Sequence, residues 1–148
     1  MHEIAGKAVC FKEAQSPEFF SYQDRVVKNA KRLAKCLTDE KLSLVSGGTD
    51  NHLLLIDLTH TGKTGKEVES LLNDIGLVVN KNKIPFDEKP ATVTSGIRLG
   101  TPSASSRGMG EKEMEEIAEI IIASIRGADG ISLKEKVKKL ALKFPCKR

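Results

Sequence analysis

Residues 16–37, with the sequence SPEFFSYQDRVVKNAKRLAKCL, do most to decide the fold. Ser16-Pro17-Glu18 combines a capping hydroxyl, a proline suited to the first turn and a carboxylate at the positive end of a helix. Apolar side chains then recur at steps of three and four residues: Phe19, Tyr22, Val26, Ala30, Leu33 and Leu37. This spacing predicts a long amphipathic helix. An apolar face of that length needs a second layer to cover it.

The rest of the chain supplies short strands and further helices for that layer. The predicted strands cover residues 42–46, 53–58, 77–79 and 96–101. The predicted helices cover residues 4–14, 64–75, 111–126 and 132–145, and two of them open with the capping boxes TGKE and SLKE. Residues 80–90 and 103–110 are predicted to be loops. The pattern predicts an α/β (α+β-like) domain with a small mixed or antiparallel sheet covered by helices.

The composition is typical of one soluble globular domain. Of 148 residues, 39% are hydrophobic and 30% are charged, and the formal net charge is +4. We expect no nucleic-acid or membrane partner, although the lysines between residues 134 and 143 leave a basic RNA- or membrane-binding tail as an alternative. Three cysteines without CxxC spacing, no leader and no long apolar run favour a reducing cytoplasm and no metal site.

Arg98 lies between two glycines in TSGIRLGTP, residues 94–102. A guanidinium grips a carboxylate through two parallel hydrogen bonds. Glycines at positions 96 and 100 would let a ligand approach the backbone closely. The alternative is an arginine paired with a structural Asp or Glu, and the spacing alone does not decide between them.

Two other polar groups are candidates for a site. Asn80-Lys81-Asn82 offers two carboxamides and an amine to a polar ligand, but asparagines are also common in plain turns. Asp50-Asn51-His52 suggests acid–base chemistry, because histidine titrates near neutral pH. No nucleophile signature lies nearby, so we expect His52 to be a packed, hydrogen-bonded residue at the start of a strand. The residues thus offer a carboxylate clamp and polar loops, without an obvious base or cofactor motif.

Several longer motifs occur in a fixed order along the chain: SGGTDNHL (46–53), TGKE (64–67), VNKN (79–82), TSGIRLGTP (94–102) and Arg107-Gly108. In sequence, order and spacing they resemble the C-terminal part of the serine hydroxymethyltransferase family. GKAVCFKEA (6–14) resembles the helix that leads out of that family's large domain, and KFP (143–145) resembles a family C-terminus. Ala91-Thr92 departs from the family, which often has Pro-Phe there.

The resemblance implies the C-terminal domain of a fold-type-I enzyme that uses pyridoxal 5'-phosphate. Such enzymes interconvert serine and tetrahydrofolate with glycine and 5,10-methylenetetrahydrofolate. By resemblance, Arg98 binds the amino-acid carboxylate, Asn82 contacts the folate with Lys81 as a secondary candidate, and Arg107 supports the site. The family's cofactor lysine follows a run of threonines that this chain lacks, so we expect no catalytic residue within it.

Two hypotheses about the chain follow from the resemblance. In the first, residues 1–15 end an interdomain helix and residues 16–148 form the small domain of the enzyme, which is inactive alone. Its partners would then be the missing large domain and, in a cytoplasmic homodimer or tetramer, further subunits. In the second, the chain is a stand-alone, non-catalytic binding or regulatory module that pairs with a full-length subunit.

Overall fold

Six helices and four strands make up residues 1–146, the part of the chain that the computed structural model describes. The helices are α1 (His2–Ala14), α2 (Pro17–Asp39), α3 (Gly65–Asp74), α4 (Pro102–Ser106), α5 (Glu111–Ile125) and α6 (Gly130–Lys143). The strands are β1 (Ser43–Leu44), β2 (Leu53–Asp57), β3 (Asn80–Asn82) and β4 (Gly96–Gly100). Single turns of 3-10 helix, Val45–Gly47 and Thr59–Thr61, follow β1 and β2.

The strands form one antiparallel sheet in the order β1-β2-β4-β3. β4 pairs along its whole length with β2, so that Arg98 lies opposite Leu55. On its other side β4 pairs with β3, where Asn80 lies opposite Arg98 and Asn82 lies opposite Gly96. This sheet confirms the predicted α/β class and selects the antiparallel arrangement.

One face of the sheet carries the hydrophobic core. Leu54, Ile56, Ile97 and Leu99 pack on this face with buried side chains of α2, α3 and α5. Each such side chain removed from water stabilises the fold by about 1.5–3 kcal/mol. Successive side chains of a strand point to opposite faces, so Arg98 and Asn80 lie on the other face, where both are exposed.

The strongest helix signals in the sequence correctly predict α2, α3 and α5. The Ser16 hydroxyl accepts a hydrogen bond from the Phe19 amide at 3.2 Å, which caps α2. The box predicted at the start of α3 is also present, since Thr64 accepts from the Glu67 amide and the Glu67 carboxylate accepts from the Thr64 amide. These caps satisfy amides that a helix start otherwise leaves unpaired. The prediction for α5 is confirmed as well.

Two strand predictions were wrong in position. The predicted strand 42–46 is reduced to β1, because the chain turns at Ser46, whose φ is 62°. The predicted strand 77–79 does not form, because the Leu77 amide donates to the Leu72 carbonyl and closes the end of α3. Extended pairing therefore starts three residues later, at Asn80, within the segment predicted to be a loop.

One loop prediction and the start of one predicted helix also need correction. Part of the predicted loop 103–110 is the short helix α4, which Pro102 opens with its fixed φ. The last helix begins at Gly130, because the Asp129 carboxylate accepts from the amides of Ile131 and Ser132 and forms the cap. The predicted capping box at 132–135 therefore lies inside α6.

α1 lies largely outside the packed body of the protein. None of its residues is buried, and Ile4, Val9 and Phe11 are 64%, 56% and 66% exposed. An isolated helix of this length is marginal in water, so packing on another surface would stabilise it. Within residues 1–146, no helix has both the length and the apolarity needed to cross a membrane.

Candidate functional site

The central strand β4 presents Arg98 to solvent while its neighbours hold the strand in place. Ile97 is fully buried and Leu99 is 9% exposed, both on the helix-covered face. Their burial fixes the direction of the side chain between them, because strand side chains alternate. Arg98 therefore projects from a rigid element rather than from a flexible loop.

Asn80 and Asn82 lie on the same face as Arg98. Asn80 is directly opposite Arg98 in the β3–β4 ladder, and Asn82 is two positions further along β3. Side chains of directly opposed residues come within contact distance of one another. We call Arg98, Asn80 and Asn82 the open-face cluster. It combines one guanidinium with two carboxamides, each of which both donates and accepts hydrogen bonds.

The guanidinium of Arg98 has no hydrogen-bond or ion-pair partner among residues 1–146. Asp57 lies on the same face of β2, but its carboxylate accepts from the amide and hydroxyl of Thr59, at 2.8 and 2.5 Å. The reading of Arg98 as one half of a structural ion pair is therefore not supported. Its fork is available to a carboxylate from outside the described residues.

Lys81 lies between the two asparagines but on the opposite face. Its ammonium is 3.0 Å from Glu69 Oε2 on α3, and its backbone amide donates to Glu69 Oε1 at 2.9 Å. These contacts lower the pKa of the Glu69 carboxyl, the amide hydrogen bond most and the Lys81 side chain next. The structure thus places Lys81 with α3 and away from the open-face cluster.

Arg107 holds the end of the last helix. Its Nε donates to the Phe144 carbonyl at 2.5 Å, and its Nη2 donates to the Ala141 carbonyl at 2.7 Å. The last carbonyls of a helix have no partner within the helix and carry partial negative charge, so a guanidinium there is stabilising. Arg107 thus makes a structural contact at the end of α6, and its support of the substrate site stays a prediction.

His52 differs from its predicted environment. It is exposed and lies in the turn before β2, not packed at the start of the strand. The backbone rather than the imidazole makes its contact here, since its carbonyl accepts from the Thr101 amide at 3.1 Å. Within residues 1–146, no three His, Cys, Asp or Glu side chains meet in a way that could hold a metal ion.

The open-face cluster can therefore bind and orient an anionic, hydrogen-bonding ligand.

Comparison with known protein families identifies the relatives of this chain. A family model described as serine hydroxymethyltransferase matches residues 1–121. The chain belongs to the serine hydroxymethyltransferase family. A serine hydroxymethyltransferase of Methanospirillum hungatei JF-1 is 52% identical over 149 aligned residues, which cover 98% of this chain and 36% of the relative. The chain thus spans little more than a third of the length of that relative.

The sequence alone does not indicate all the residues that surround the candidate site of this serine hydroxymethyltransferase family member. In the sequence Asn80 stands out only as part of a polar triplet, and its place beside Arg98 follows from strand alternation once β3 is known. The carboxylates of Glu69 and Asp87 bind residues 12 and 8 positions away, at Lys81 and Ser95. No local pattern in the sequence indicates such contacts.

Proposed function

We propose that this chain supplies half of the substrate site of a serine hydroxymethyltransferase, with Arg98 as the group that binds the amino-acid carboxylate. The observation that carries this proposal is the position of Arg98 on the open face of β4, where its buried neighbours direct its side chain and its guanidinium has no partner among residues 1–146. A guanidinium in that position can form two parallel hydrogen bonds to a carboxylate. Serine and glycine, the amino acids of the family reaction, both carry one.

We further propose that Asn82 contacts the folate and that Asn80, opposite Arg98, helps to orient the amino acid. The carboxamide of Asn82 now donates to the Lys83 carbonyl at 2.8 Å and keeps its oxygen for a ligand donor. Lys81 remains a folate candidate only if its ammonium leaves Glu69, which is 3.0 Å away on the other face. Arg107 acts through the end of α6 and not on the substrate.

The cofactor belongs, in this proposal, to the part of the enzyme outside this chain. Pyridoxal phosphate supplies the electron sink for the reaction, and the protein supplies binding and orientation. By resemblance, the attachment lysine follows a run of threonines that the sequence lacks, and Lys81 does not fit this role because its ammonium faces α3 and pairs with Glu69. The isolated chain is therefore expected to be inactive.

The exposed apolar side chains of α1 support contact between this helix and another domain of the same enzyme. Ile4, Val9 and Phe11 would be covered if α1 continued into a larger domain, so we assign residues 1–15 to an interdomain helix and residues 16–148 to the small domain. The complete enzyme is proposed to be a cytoplasmic homodimer or tetramer that binds pyridoxal phosphate and tetrahydrofolate.

A chimera tests the proposal directly. This chain replaces the matching C-terminal part of the Methanospirillum hungatei protein, and formation of methylenetetrahydrofolate from serine is measured. The loss of a charge-assisted hydrogen-bond pair removes about 1.5–3 kcal/mol, so Arg98→Ala should raise KM for serine by about 10- to 150-fold. Arg126→Ala is the matched control, because that exposed arginine pairs with Glu40 at the far end of α5.

Three results would contradict parts of the proposal. An active chimera whose KM for serine is the same with Arg98→Ala would remove Arg98 from the site. Turnover by the isolated 148-residue chain would contradict its inactivity. The separate chain could also restore activity to a full-length enzyme inactivated at the arginine that matches Arg98. That result would favour a stand-alone module that pairs with a complete subunit.

A further inference from the structure

The loop between β3 and β4 is closed by one carboxylate. Asp87 Oδ2 accepts hydrogen bonds from the amides of Ser95 at 2.8 Å and Ile84 at 3.3 Å. Asp87 Oδ1 accepts from the Ser95 hydroxyl at 2.8 Å and the Lys89 amide at 3.0 Å. Four donors from three separate points of the loop therefore converge on one side chain.

The two amides bound to Oδ2 come from the two strands of the site. The β3–β4 ladder ends where Asn82 lies opposite Gly96. Ile84 continues the chain from β3, and Ser95 immediately precedes β4. Because one oxygen bonds to both amides, the carboxylate acts as one more rung beyond the last backbone pair. A three-residue edge strand has few bonds of its own, so this rung is a large share of what holds β3 to β4.

The backbone beside the rung is held in an unfavourable conformation. Thr94 has a φ of 58°, in the left-handed region that β-branched residues rarely adopt, and it is 2% exposed. Its carbonyl accepts from the Gly65 amide at 3.0 Å, and its hydroxyl donates to the Gly96 carbonyl at 3.1 Å. Strained residues persist where surrounding contacts fix them, and they concentrate at binding and catalytic sites.

The charge of Asp87 suits this task over a wide pH range. Desolvation, the largest single influence, would raise the pKa of its carboxyl. The donors from Lys89, Ser95 and Ile84 together outweigh it and lower that pKa to about 2. The side chain is thus an acceptor for all four donors at neutral pH, and the Lys89 ammonium, 3.3 Å from the Ser95 hydroxyl, is the charged group that accompanies it.

We propose that Asp87 is a positioning residue that sets the placement of Asn82 relative to Arg98 by bridging the ends of β3 and β4. The role in folate and serine binding rests on the function proposed above, whereas the bridge itself does not. Asp87 touches neither ligand in this proposal. It acts by keeping Asn82 in the β3 register that puts the asparagine on the same face as Arg98.

The bridge is tested on the 148-residue chain by amide hydrogen exchange followed by NMR. Asp87→Asn keeps one acceptor oxygen and loses the other, and we expect exchange at residues 80–84 to accelerate by about 10-fold or more. Ser95→Ala removes only the hydroxyl and should give a smaller acceleration, of about 3-fold. Asp129→Asn is the matched control, since Asp129 also binds two backbone amides but at the start of α6.

A second readout separates positioning from a general loss of structure. In the chimera, Asp87→Asn should raise KM for tetrahydrofolate by about 5-fold or more, while exchange at residues 118–122 of α5 and the KM of the Asp129→Asn chimera stay unchanged. Unchanged exchange at residues 80–84, or equal acceleration there and in α5, would overturn the proposal. Faster exchange at 80–84, combined with an active chimera whose KM for serine is unchanged by Arg98→Ala, would retain the bridge and reject the proposed function instead.

Discussion

Gly65→Ala adds one methyl group at the glycine where a Cβ would make the shortest contact of any glycine in the chain. A Cβ added at Gly65, the first residue of α3, would lie 2.1 Å from Thr94 Oγ1 and 2.3 Å from the Gly96 carbonyl oxygen. The Thr94 hydroxyl could rotate away, but the Gly96 carbonyl belongs to β4 and is fixed by its strand partners. The start of α3 and the start of β4 must therefore move apart by about 1 Å to reach ordinary contact.

That movement breaks identifiable contacts. The amides of Gly65 and Lys66 donate to the carbonyls of Thr94 and Val93 at 3.0 and 2.9 Å. Each lost hydrogen bond removes about 1 kcal/mol, and overpacking adds about 1–3 kcal/mol, so the free energy of unfolding should fall by about 3–5 kcal/mol. With about 2.1 cal/mol/K of unfolding entropy per residue over 148 residues, Tm should fall by about 10–16 °C.

Thermal unfolding followed by circular dichroism measures the change, and Gly6→Ala is the control. Gly6 lies in α1 with no atom within 4 Å of an added Cβ, so alanine there should stabilise the helix slightly. The two variants carry the same chemical change and differ only in their surroundings. A fall in Tm of less than about 3 °C for Gly65→Ala would refute the close approach of α3 to β4.

Three further predictions address the core, the end of α6 and pH. Asn29 is 1% exposed and donates to the Ser105 hydroxyl and the Met109 carbonyl, both at 2.9 Å. Asn29→Leu should therefore lower the free energy of unfolding, measured in urea, by about 2–4 kcal/mol. A loss below about 1 kcal/mol would contradict this prediction. Arg107→Ala should accelerate amide exchange in the last turn of α6 by about 5-fold or more, because the guanidinium bonds to the carbonyls there. The KM for serine in the chimera should stay within about 2-fold of the wild type. A large change in KM would instead place Arg107 in the substrate site. The pKa of Asp87 lies below its ordinary 3.8, so its contribution to stability is present above that pH and lost as pH falls towards 2. The difference in urea midpoint between the wild type and Asp87→Asn should therefore be constant near neutral pH and shrink between pH 4 and 2, and a difference that does not change would show that this carboxylate is not bonded as described.

Periodic and capping signals predicted those parts of the fold that depend on neighbouring residues. The face from Phe19 to Leu37 and the box at Thr64 specify α2 and α3, because both signals act within one or two helical turns. The strand predicted at 77–79 failed, since the closure of α3 by Leu77 competes with pairing and is decided by contacts that periodicity does not report. The predicted start of α6 was wrong for a related reason. Asp129 and Ser132 both suit a helix cap, and only packing decides between them.

The residues of the candidate site could be named from the sequence, but their arrangement could not. The glycines around Arg98 and the carboxamides of Asn80 and Asn82 were visible in the sequence as a carboxylate clamp and a polar cluster. The side on which each residue lies depends on where β3 begins, and a shift of one residue would have exchanged Lys81 for the asparagines. Register depends on pairing with β4, which a reading of β3 alone does not provide.

The alternation of side chains along β4 has a consequence for how the open-face cluster can be varied. Ile97 and Leu99 carry the packing of the strand, while Arg98 between them contributes almost nothing to the core. Substitutions at Arg98 and Asn80 should therefore change the free energy of unfolding only by the small amount typical of surface positions, about ±0.5 kcal/mol. If the proposed function holds, a library confined to the open-face cluster would vary the contacts to the substrate on a scaffold that keeps folding.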